Sequence, residues 1–405
     1  MKIMHINCYY KKGSTGKIIE EINKTVMENG GTVGICFSKS IKSLDSNAFK
    51  ISSRYELAVY KRIAKLIGLE YYMGLIPTLK IMFRIKQFKP NIVHLHSANG
   101  FMLNYYILMK YLKKLDIKVV LTNHAEFYYT GNCSHSFECD KWKTGCGNCP
   151  NLFKATGSKL FDSTKLSWKW TKKNFELHNQ INVVSVSKWV NNRSLQSPIL
   201  NKFPHQVILN GIDTNKGFYL KNCEEFKNKI GLSQKKILLH VTASFTDDIE
   251  NSKGGHHILE LAAKLQHNSK IVFLVIASYA KVDKLPSNVI VVKDVNDIQL
   301  LNNYYNIADL SIITSKKETF SMPVAESLAT GTPVIGFKAG GPESISLKDY
   351  SEFVEYGDLD SLVHLIYKWY EKKQEIKEGL SNVARNRYSS EIMSLKYYQL
   401  YKSLL

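Results

Sequence analysis

The sequence predicts an α/β protein made of two doubly wound, Rossmann-like domains that face a cleft. Short apolar runs typical of buried parallel strands alternate with amphipathic helical stretches. The alternation starts again in the carboxyl half, and 405 residues are too many for one ordinary hydrophobic core. We expect a first domain over residues 1–208, a second over 209–387, and a last helix over 388–405 that packs back on the first domain.

In the first half, strand and helix signals follow one another from the first residues. The predicted strands are MKIMHINCYY at 1–10, VGICFS at 33–38, NIVHLHS at 91–97, KVVLTNH at 118–124, INVVSVS at 181–187 and HQVILNG at 205–211. The predicted helices lie near 18–28, 53–89, 100–114 and 188–195. A cysteine-rich insertion at 130–152 and a further helical region separate the fourth strand from the fifth.

The second half repeats the pattern. Its predicted strands lie at 235–243, 271–277, 288–294, 308–314 and 334–337, and its predicted helices lie near 255–267, near 297–307 and after Ser321. The segment 389–405 is an amphipathic helix rich in tyrosine and leucine. Because this helix follows a domain that already looks complete, we expect it to pack across the first domain.

The net charge of +20 indicates an anionic partner. Basic and bulky apolar residues are mixed between Arg54 and Lys89, and again between Lys154 and Lys173, as on surface helices that rest on anionic lipid. The alternative is that both regions are solvated helices. No helix-turn-helix, zinc-finger or RNP-type motif indicates nucleic-acid binding. No apolar run has the length of a signal peptide or a membrane span, and the cysteine content favours a reducing compartment. We expect a cytoplasmic protein, peripheral on the inner face of the membrane.

Two carboxylates, Glu318 and Glu326, flank a predicted helix start. Glu318 follows a buried strand, Ser321 is the predicted N-cap, Pro323 lies in the first turn, and Gly331 is the predicted C-cap. Ligands of open α/β sheets bind at this edge, and helix N-termini attract phosphate. One interpretation is that the two carboxylates bind sugar hydroxyls or a developing cation on a ligand. The alternative is that Glu326 only complements the helix dipole and Glu318 is solvated.

Three further features have the right position for a ligand site. The loop KKGSTGK, with Gly13 and Gly16, suggests close approach of the backbone to a phosphate or sugar, although it matches neither a Walker A nor a GxGxxG pattern. His124 ends a strand and is favoured over the mid-strand His94 as a donor to a ligand oxygen. Lys253 precedes a helix and has the position to neutralise a diphosphate.

Four cysteines lie close together in the insertion NCSHSFECDKWKTGCGNCP. Cys133, Cys139, Cys146 and Cys149 could close a structural zinc site, with His135 or Asp140 as substitute ligands. Buried free thiols or a redox pair are the alternatives. A catalytic zinc is not expected, because four cysteines leave no open coordination position.

Taken in order, several segments resemble those of the retaining GT-B glycosyltransferases of family 4. The segments are PNIVHLH, VVSVSKW, LNGIDT, KGG at 253–255, ADLSIITS, the E-x7-E spacing of Glu318 and Glu326, and AGGPESI at 339–345. The resemblance covers essentially the whole chain. The cysteine insertion also resembles that of bacterial transferases that build capsule, colanic-acid-like or O-antigen polysaccharides.

The resemblance implies a UDP- or GDP-sugar donor, held mainly by the second domain, and a glycan or lipid-linked oligosaccharide acceptor met by the first. Glu318 would lie near the reacting sugar carbon, Lys253 on the diphosphate and His124 on the donor sugar. Glu326 would bind the ribose. The other implied donor-binding residues are Thr319, Phe320, Ser321, Gly13, Gly16 and Ser244.

One position departs from the family. A Gly-Arg pair usually follows the strand at 235–243, but this chain has Ser244 there. Because a hydroxyl cannot replace a bidentate guanidinium, either another cation such as Lys316, Lys317 or Lys17 reaches the phosphates, or donor binding is arranged differently.

The resemblance predicts a hexosyl- or N-acetylhexosaminyltransferase that retains the anomeric configuration and needs no metal or other cofactor at the reaction centre. It would extend a lipid-linked precursor of a surface polysaccharide. The alternatives are a nucleotide-sugar epimerase on the same scaffold, and a non-catalytic binding protein with the GT-B fold.

Overall fold

The computed structural model describes residues 1–40, 45–97, 100–158, 160–370 and 377–405. It confirms the predicted fold class, because the chain forms two α/β units that each contain a parallel sheet. The first unit consists of residues 1–209 and 393–405, and the second consists of residues 210–392.

The first unit is a seven-stranded sheet with helices on both faces. Its strands are β1 (Lys2–Tyr10), β2 (Thr32–Ser40), β3 (Ala48–Lys50), β4 (Ile92–Leu95), β5 (Lys118–Asn123), β6 (Ile181–Ser185) and β7 (His205–Val207). Its helices are α1 (Gly13–Glu28), α2 (Arg54–Ile67), α3 (Leu75–Phe88), α4 (Tyr105–Lys114), α5 (Leu152–Thr156), α6 (Thr164–Glu176) and α7 (Lys188–Gln196). The strand order is β3-β2-β1-β4-β5-β6-β7, so the winding reverses between β1 and β4.

The basic region is two helices, where the sequence pattern gave one continuous stretch. Ser53 and Glu56 form a capping box at the start of α2. Gly68 ends the helix in the left-handed conformation, with φ of 71°, which favours glycine. A single 3₁₀ turn at Glu70–Tyr72 then leads to α3.

These two helices carry large apolar side chains that face solvent. Each of these side chains is at least 42% exposed; on α2 they are Tyr55, Val59, Ile63 and Leu66, and on α3 they are Leu75, Ile76, Leu79 and Phe83. Among the described residues, no helix is both long and apolar enough to cross a membrane.

The second unit is a six-stranded sheet of the same winding. Its strands are β8 (Lys236–Thr246), β9 (Ile271–Lys281), β10 (Val289–Lys293), β11 (Leu310–Ile313), β12 (Val334–Phe337) and β13 (Ser351–Val354). Its helices are α8 (Glu224–Lys229), α9 (Gly255–Leu265), α10 (Ile298–Ile307), α11 (Met322–Ala329), α12 (Gly341–Ile345), α13 (Leu359–Tyr370) and α14 (Lys377–Tyr388). The order β10-β9-β8-β11-β12-β13 places the switch point between β8 and β11, where the loops after adjacent strands diverge.

The last helix, α15 (Ser390–Leu404), supplies part of the first unit's core. Tyr397 and Tyr401 are fully buried among apolar side chains of the sheet, such as Ile3 and Val120. The hydroxyl of Tyr397 lies 3.1 Å from Thr122 Oγ1, and that of Tyr401 lies 2.5 Å from His94 Nδ1. Residues 393–405 therefore complete the first unit, as the amphipathic pattern predicts.

Candidate functional site

The candidate site of the second unit lies at the switch point between β8 and β11. Lys253 follows β8 and lies two residues before the start of α9, whereas Glu318 follows β11. Lys253 Nζ lies 2.6 Å from Glu318 Oε1, and the two side chains retain 35% and 20% of their exposure. The topology thus brings together two residues that the sequence places 65 positions apart.

Backbone contacts hold the two loops at a fixed separation. Thr314 Oγ1 donates to the carbonyl oxygen of Gly254 at 2.9 Å, and Lys316 N donates to that of Ser252 at 2.8 Å. Gly254 has φ of 70°, and a Cβ there would lie 2.0 Å from the Thr314 oxygen. Only glycine therefore allows the chain beside Lys253 to approach β11 this closely.

A third loop, AGG at 339–341, fixes the backbone of Glu318. Glu318 N donates to the Ala339 oxygen at 3.0 Å, and Gly341 N donates to the Glu318 oxygen at 2.8 Å. A Cβ on Gly341 would lie 2.5 Å from the amide nitrogen of Phe320. The position of Glu318 is thus set by main-chain pairing.

The start of α11 differs from the predicted cap. Ser321 occupies the N-cap position and Pro323 lies in the first turn, as expected, but the Ser321 side chain makes no capping hydrogen bond. A capping serine is normally extended, whereas Ser321 has φ of 81°. This backbone conformation is costly for a residue other than glycine and is typical of functional sites. Thr319, Phe320 and Ser321 are all buried in this turn.

Glu326 lies beyond the first turn of α11 and is held by a neighbouring helix. The hydroxyl of Tyr305, on α10, donates to Glu326 Oε2 at 2.8 Å. Burial, followed by the charge of Glu326, raises the pKa of Tyr305 well above its ordinary value, so this hydroxyl remains a donor. Sequence reasoning identified Glu326 but missed Tyr305, because a tyrosine on an amphipathic helix looks like an ordinary core residue.

Ser244, which stands where the family usually has arginine, is tied to Lys253 through Asn251. Asn251 Nδ2 donates to Ser244 Oγ at 3.1 Å, and Lys253 N donates to Asn251 Oδ1 at 3.0 Å. Lys316 is one of the lysines that could replace the arginine's charge, and its Nζ lies 5.7 Å from the centre of the Tyr356 ring. Ser244 therefore contributes a hydroxyl and a fixed loop at this position, and no positive charge.

In the first unit, the loop after β1 is shorter than the predicted loop KKGSTGK. Helix α1 begins at Gly13, so Gly16 and Lys17 lie within it and Lys12 is the N-cap residue. Gly13 has φ of 68°, and a Cβ on Gly16 would lie 3.1 Å from Lys11 N. The glycines allow a tight turn from β1 into α1, and Lys17 is exposed on the helix.

His124 directly follows β5 and ends a row of three imidazoles. Its Nε2 lies 3.1 Å from His96 Nδ1, and His96 Nε2 lies 3.0 Å from His5 Nδ1. Burial lowers the pKa of His124 to about 4 and that of His5 to about 3, and it lowers the pKa of His96 well below its ordinary value. These rings are therefore neutral at physiological pH. Sequence reasoning found His124 but not its two supports, although the spacing HLH already placed His94 and His96 on one face.

His94 is the satisfied core residue that its mid-strand position suggests. Its two ring nitrogens face the Tyr401 hydroxyl and, at 2.8 Å, Thr122 Oγ1. Ring nitrogens of His5, His94 and His96 come within 4.8 Å of one another, which is the spacing of potential metal ligands. Hydrogen bonds already engage His94 and His96 on both nitrogens, whereas His5 Nε2 has no partner.

The four cysteines of the insertion line one small cavity. Cys133, Cys139, Cys146 and Cys149 surround a space of about 20 Å³ together with Trp142. All four are free thiols. The nitrogens of His5, His94 and His96 form a group of three within 4.8 Å of one another, whereas no three of these sulfurs do.

Comparisons with known proteins cover both units. Residues 44–216 match the family described as Glycosyltransferase Family 4, and residues 223–387 match the family described as Glycosyl transferases group 1. The chain is 22% identical over 332 residues to WcaC of Escherichia coli strain K12, whose name assigns it to colanic acid biosynthesis as a glycosyl transferase. That match spans 78% of this chain and 77% of WcaC.

Solved structures share the same fold. Sucrose-phosphate synthase from Thermosynechococcus elongatus has a TM-score of 0.67 at 15% identity, over 100% of this chain and 98% of that one. HepE from Anabaena, solved in complex with UDP, has a TM-score of 0.66 at 13% identity over 100% of both chains.

Proposed function

Because this chain belongs to the GT-B glycosyltransferases of family 4, we propose that it transfers a sugar from a nucleotide-diphosphate sugar to a lipid-linked glycan, with retention at the anomeric carbon. The observation that carries the proposal is the pairing of Lys253 with Glu318 at the switch point of the second sheet. Ligands of doubly wound sheets bind at that position. The pair offers one cation for a phosphate and one carboxylate for a sugar.

The donor's diphosphate would lie at the start of α11. The Ser321 hydroxyl does not cap this helix, so it does not compete with an anion for the first-turn N–H groups. Lys253 would neutralise the phosphates from the opposite loop, and the backbone N–H groups of Phe320 and Ser321 would complete the anion site. Glu326, oriented by Tyr305, would accept hydrogen bonds from the ribose hydroxyls.

Glu318 and the diphosphate site would stabilise opposite charges of the transition state. As the bond from the anomeric carbon to the phosphate oxygen breaks, positive charge develops on the sugar and negative charge on the leaving group. The carboxylate of Glu318 favours the first, and Lys253 with the helix start favours the second. In the retaining reaction we propose, the leaving phosphate accepts the acceptor's proton on the same face of the sugar, so no protein base is needed.

We propose a uridine nucleotide as the donor and a cell-surface polysaccharide as the product. The supports are the UDP bound in HepE and the colanic acid assignment of WcaC, both of which are relatives of low identity. UDP- and GDP-sugars should therefore be compared directly. The purified protein would be incubated with each in a thermal-shift panel, and the nucleotide that raises its melting temperature most would be tested for turnover.

The acceptor would be presented by a membrane. The exposed apolar side chains of α2 and α3 are interspersed with the basic residues Arg54, Lys61, Arg62, Lys65, Lys80, Arg84 and Lys86. This combination fits a helix pair lying in the headgroup region of an anionic bilayer. We propose peripheral attachment at the cytoplasmic face, which would bring the enzyme to a lipid-linked acceptor.

One observation favours a second candidate, a non-catalytic nucleotide-binding protein. Ser244 supplies no charge where the family usually has arginine, so transition-state stabilisation at the diphosphate would be weaker. Calorimetry with UDP and GDP, followed by assay of nucleotide release with the donor, separates the two candidates. Binding without release would favour the second, and release dependent on Lys253 would favour the transferase.

A further inference from the structure

The cysteine insertion encloses a cavity with the size and lining of an ion site. We call residues 130–152 the cysteine module. Its cavity of about 20 Å³ is lined by four cysteines from separate positions of the chain, among other residues. A cavity of this size accommodates about one water molecule or one ion. Packing alone does not require four cysteines from separate positions of the chain to line the same cavity.

The main chain of the module comes close to the side chain of Cys146. Gly145 and Gly147, on either side of Cys146, have φ of 142° and 131°, and Asn148 has φ of 45°. A Cβ on Gly131 would lie 2.8 Å from Cys146 Sγ and 2.7 Å from the Thr164 oxygen. Residues with positive φ around the Cys-x-x-Cys turn, and a glycine under one sulfur, let the main chain approach the thiols closely.

Main-chain donors and one cation face these sulfurs. The backbone N–H of Gly131 donates to the Cys146 sulfur, and that of Asn151 donates to the Cys149 sulfur. The Nζ of Lys141 donates to the carbonyl oxygens of Gly147 at 3.2 Å and Asn148 at 2.5 Å, which holds its charge near Cys149. N–H donors and a positive charge stabilise thiolates over thiols.

We propose that Cys133, Cys139, Cys146 and Cys149 bind one Zn²⁺ as a structural, tetrahedral site. Zinc takes four thiolates at about 2.3 Å and then has no open position, so the ion would stabilise the fold and take no part in the transfer reaction. Binding draws the four sulfurs inward and displaces four protons, so that four thiols and one Zn²⁺ give a tetrathiolate complex of charge −2 and four H⁺. Lys141 offsets part of that charge.

The module also holds the loop that carries His124. Glu126, two residues after His124, is fully buried and accepts hydrogen bonds from Ser136 N at 2.7 Å and Arg193 Nε at 2.7 Å. Its own N–H donates to the Ser134 oxygen at 2.9 Å, next to Cys133. Zinc would therefore order the loop through Glu126, and His124 would lose its fixed position when the metal is removed. The zinc site does not rest on the proposed function.

Metal content tests the site without any assay of activity. The full chain, purified without chelators, should contain one zinc per molecule by native mass spectrometry and elemental analysis. Cys146→Ser should reduce this stoichiometry severalfold. Cys223→Ser, which removes a half-buried thiol of the second unit, is the control and should retain the zinc. An equal zinc content in Cys146→Ser and wild type would overturn the proposal.

A second measurement needs no folded variant. The wild-type protein, stripped of metal and titrated with Co²⁺, should develop the visible and charge-transfer bands of tetrahedral cobalt thiolate and saturate at one equivalent. Absence of these bands while the four thiols of the cysteine module react with a thiol reagent would show free cysteines. A disulfide found within the module by peptide mass spectrometry in the freshly purified protein would show a redox pair. Either result would overturn the proposal.

Discussion

Lys253 Nζ lies 2.6 Å from Glu318 Oε1, so the cation assigned to the donor's phosphate and the carboxylate assigned to its sugar neutralise each other in the free protein. A bound donor would lie between the two side chains, with its phosphate near Lys253 and the developing cation of its sugar near Glu318. Each residue keeps enough exposure to exchange its partner for a ligand.

Lys253→Ala should lower turnover of the donor by about 10²–10³-fold, because one preformed charge is lost at the leaving group. Nucleotide release from the best donor measures this effect. Lys264→Ala is the matched control, since Lys264 is an exposed lysine on α9 that pairs with Asp360. If Lys253→Ala and the control turned over donor equally fast, the phosphate assignment would be wrong.

Tyr305→Phe should raise the KM for the donor about tenfold with a smaller change in kcat, because Glu326 would lose the hydroxyl that orients it. Tyr304→Phe, at the adjacent position of α10, is the control and should leave both constants unchanged. Steady-state kinetics with varied donor concentration distinguish the two parameters. A loss of kcat at constant KM would instead connect Tyr305 with the chemical step.

Gly254→Ala should abolish donor binding or prevent folding of the second unit, because the new Cβ would lie 2.0 Å from the Thr314 oxygen. Gly231→Ala provides the comparison, since Gly231 has φ of 74° but no atom within 4 Å of the added Cβ. The control should cost only about 1 kcal/mol of unfolding free energy, which is the left-handed backbone penalty alone. Urea unfolding of both variants measures the difference, and equal costs would contradict the close approach.

The unfolding free energy should fall as the pH drops below about 6.5, where unfolded histidines take up protons. Burial lowers the folded-state pKa of His5 to about 3 and that of His240 to about 4, so the unfolded state binds more protons between those values and 6.5. Each such histidine contributes a slope of up to about 1.4 kcal/mol per pH unit. His240→Gln should flatten the slope measured by urea unfolding. Equal slopes in wild type and His240→Gln would contradict the burial argument.

Ile63→Glu and Phe83→Glu should each weaken binding to vesicles that contain phosphatidylglycerol by about tenfold, because burial of such a side chain is worth about 1.5 kcal/mol. Both side chains are exposed on the basic helices, so the fold should tolerate the change. Ile249→Glu, at an exposed site of the second unit, is the control. Cosedimentation measures the affinity, and wild-type binding that is equal on pure phosphatidylcholine would argue against an anionic surface.

The sequence predicted most of the fold, because buried parallel strands are apolar on both faces and stand out as runs such as IVFLVIA at 271–277. The ends of strands were predicted less well where polar residues extend a strand beyond its apolar run. Strands β8 and β9 extend to Thr246 and Lys281, beyond their apolar runs, because each pairs with the other. The same limit applies to the site: Glu318 and Lys253 followed from position, whereas the left-handed Ser321 and the partner Tyr305 depend on contacts from distant loops.

The burial of Tyr397 and Tyr401 in the first unit has a consequence for synthesis on the ribosome. The sheet of that unit is translated first, but residues 393–405 that cover one of its faces are translated after the whole second unit. Until residues 393–405 have been translated, the imidazole ring of His94 and the apolar surface around Val120 lack their covering helix. Folding of the first unit is therefore completed only after translation of the second, and a nascent chain would expose this surface to chaperones in the meantime.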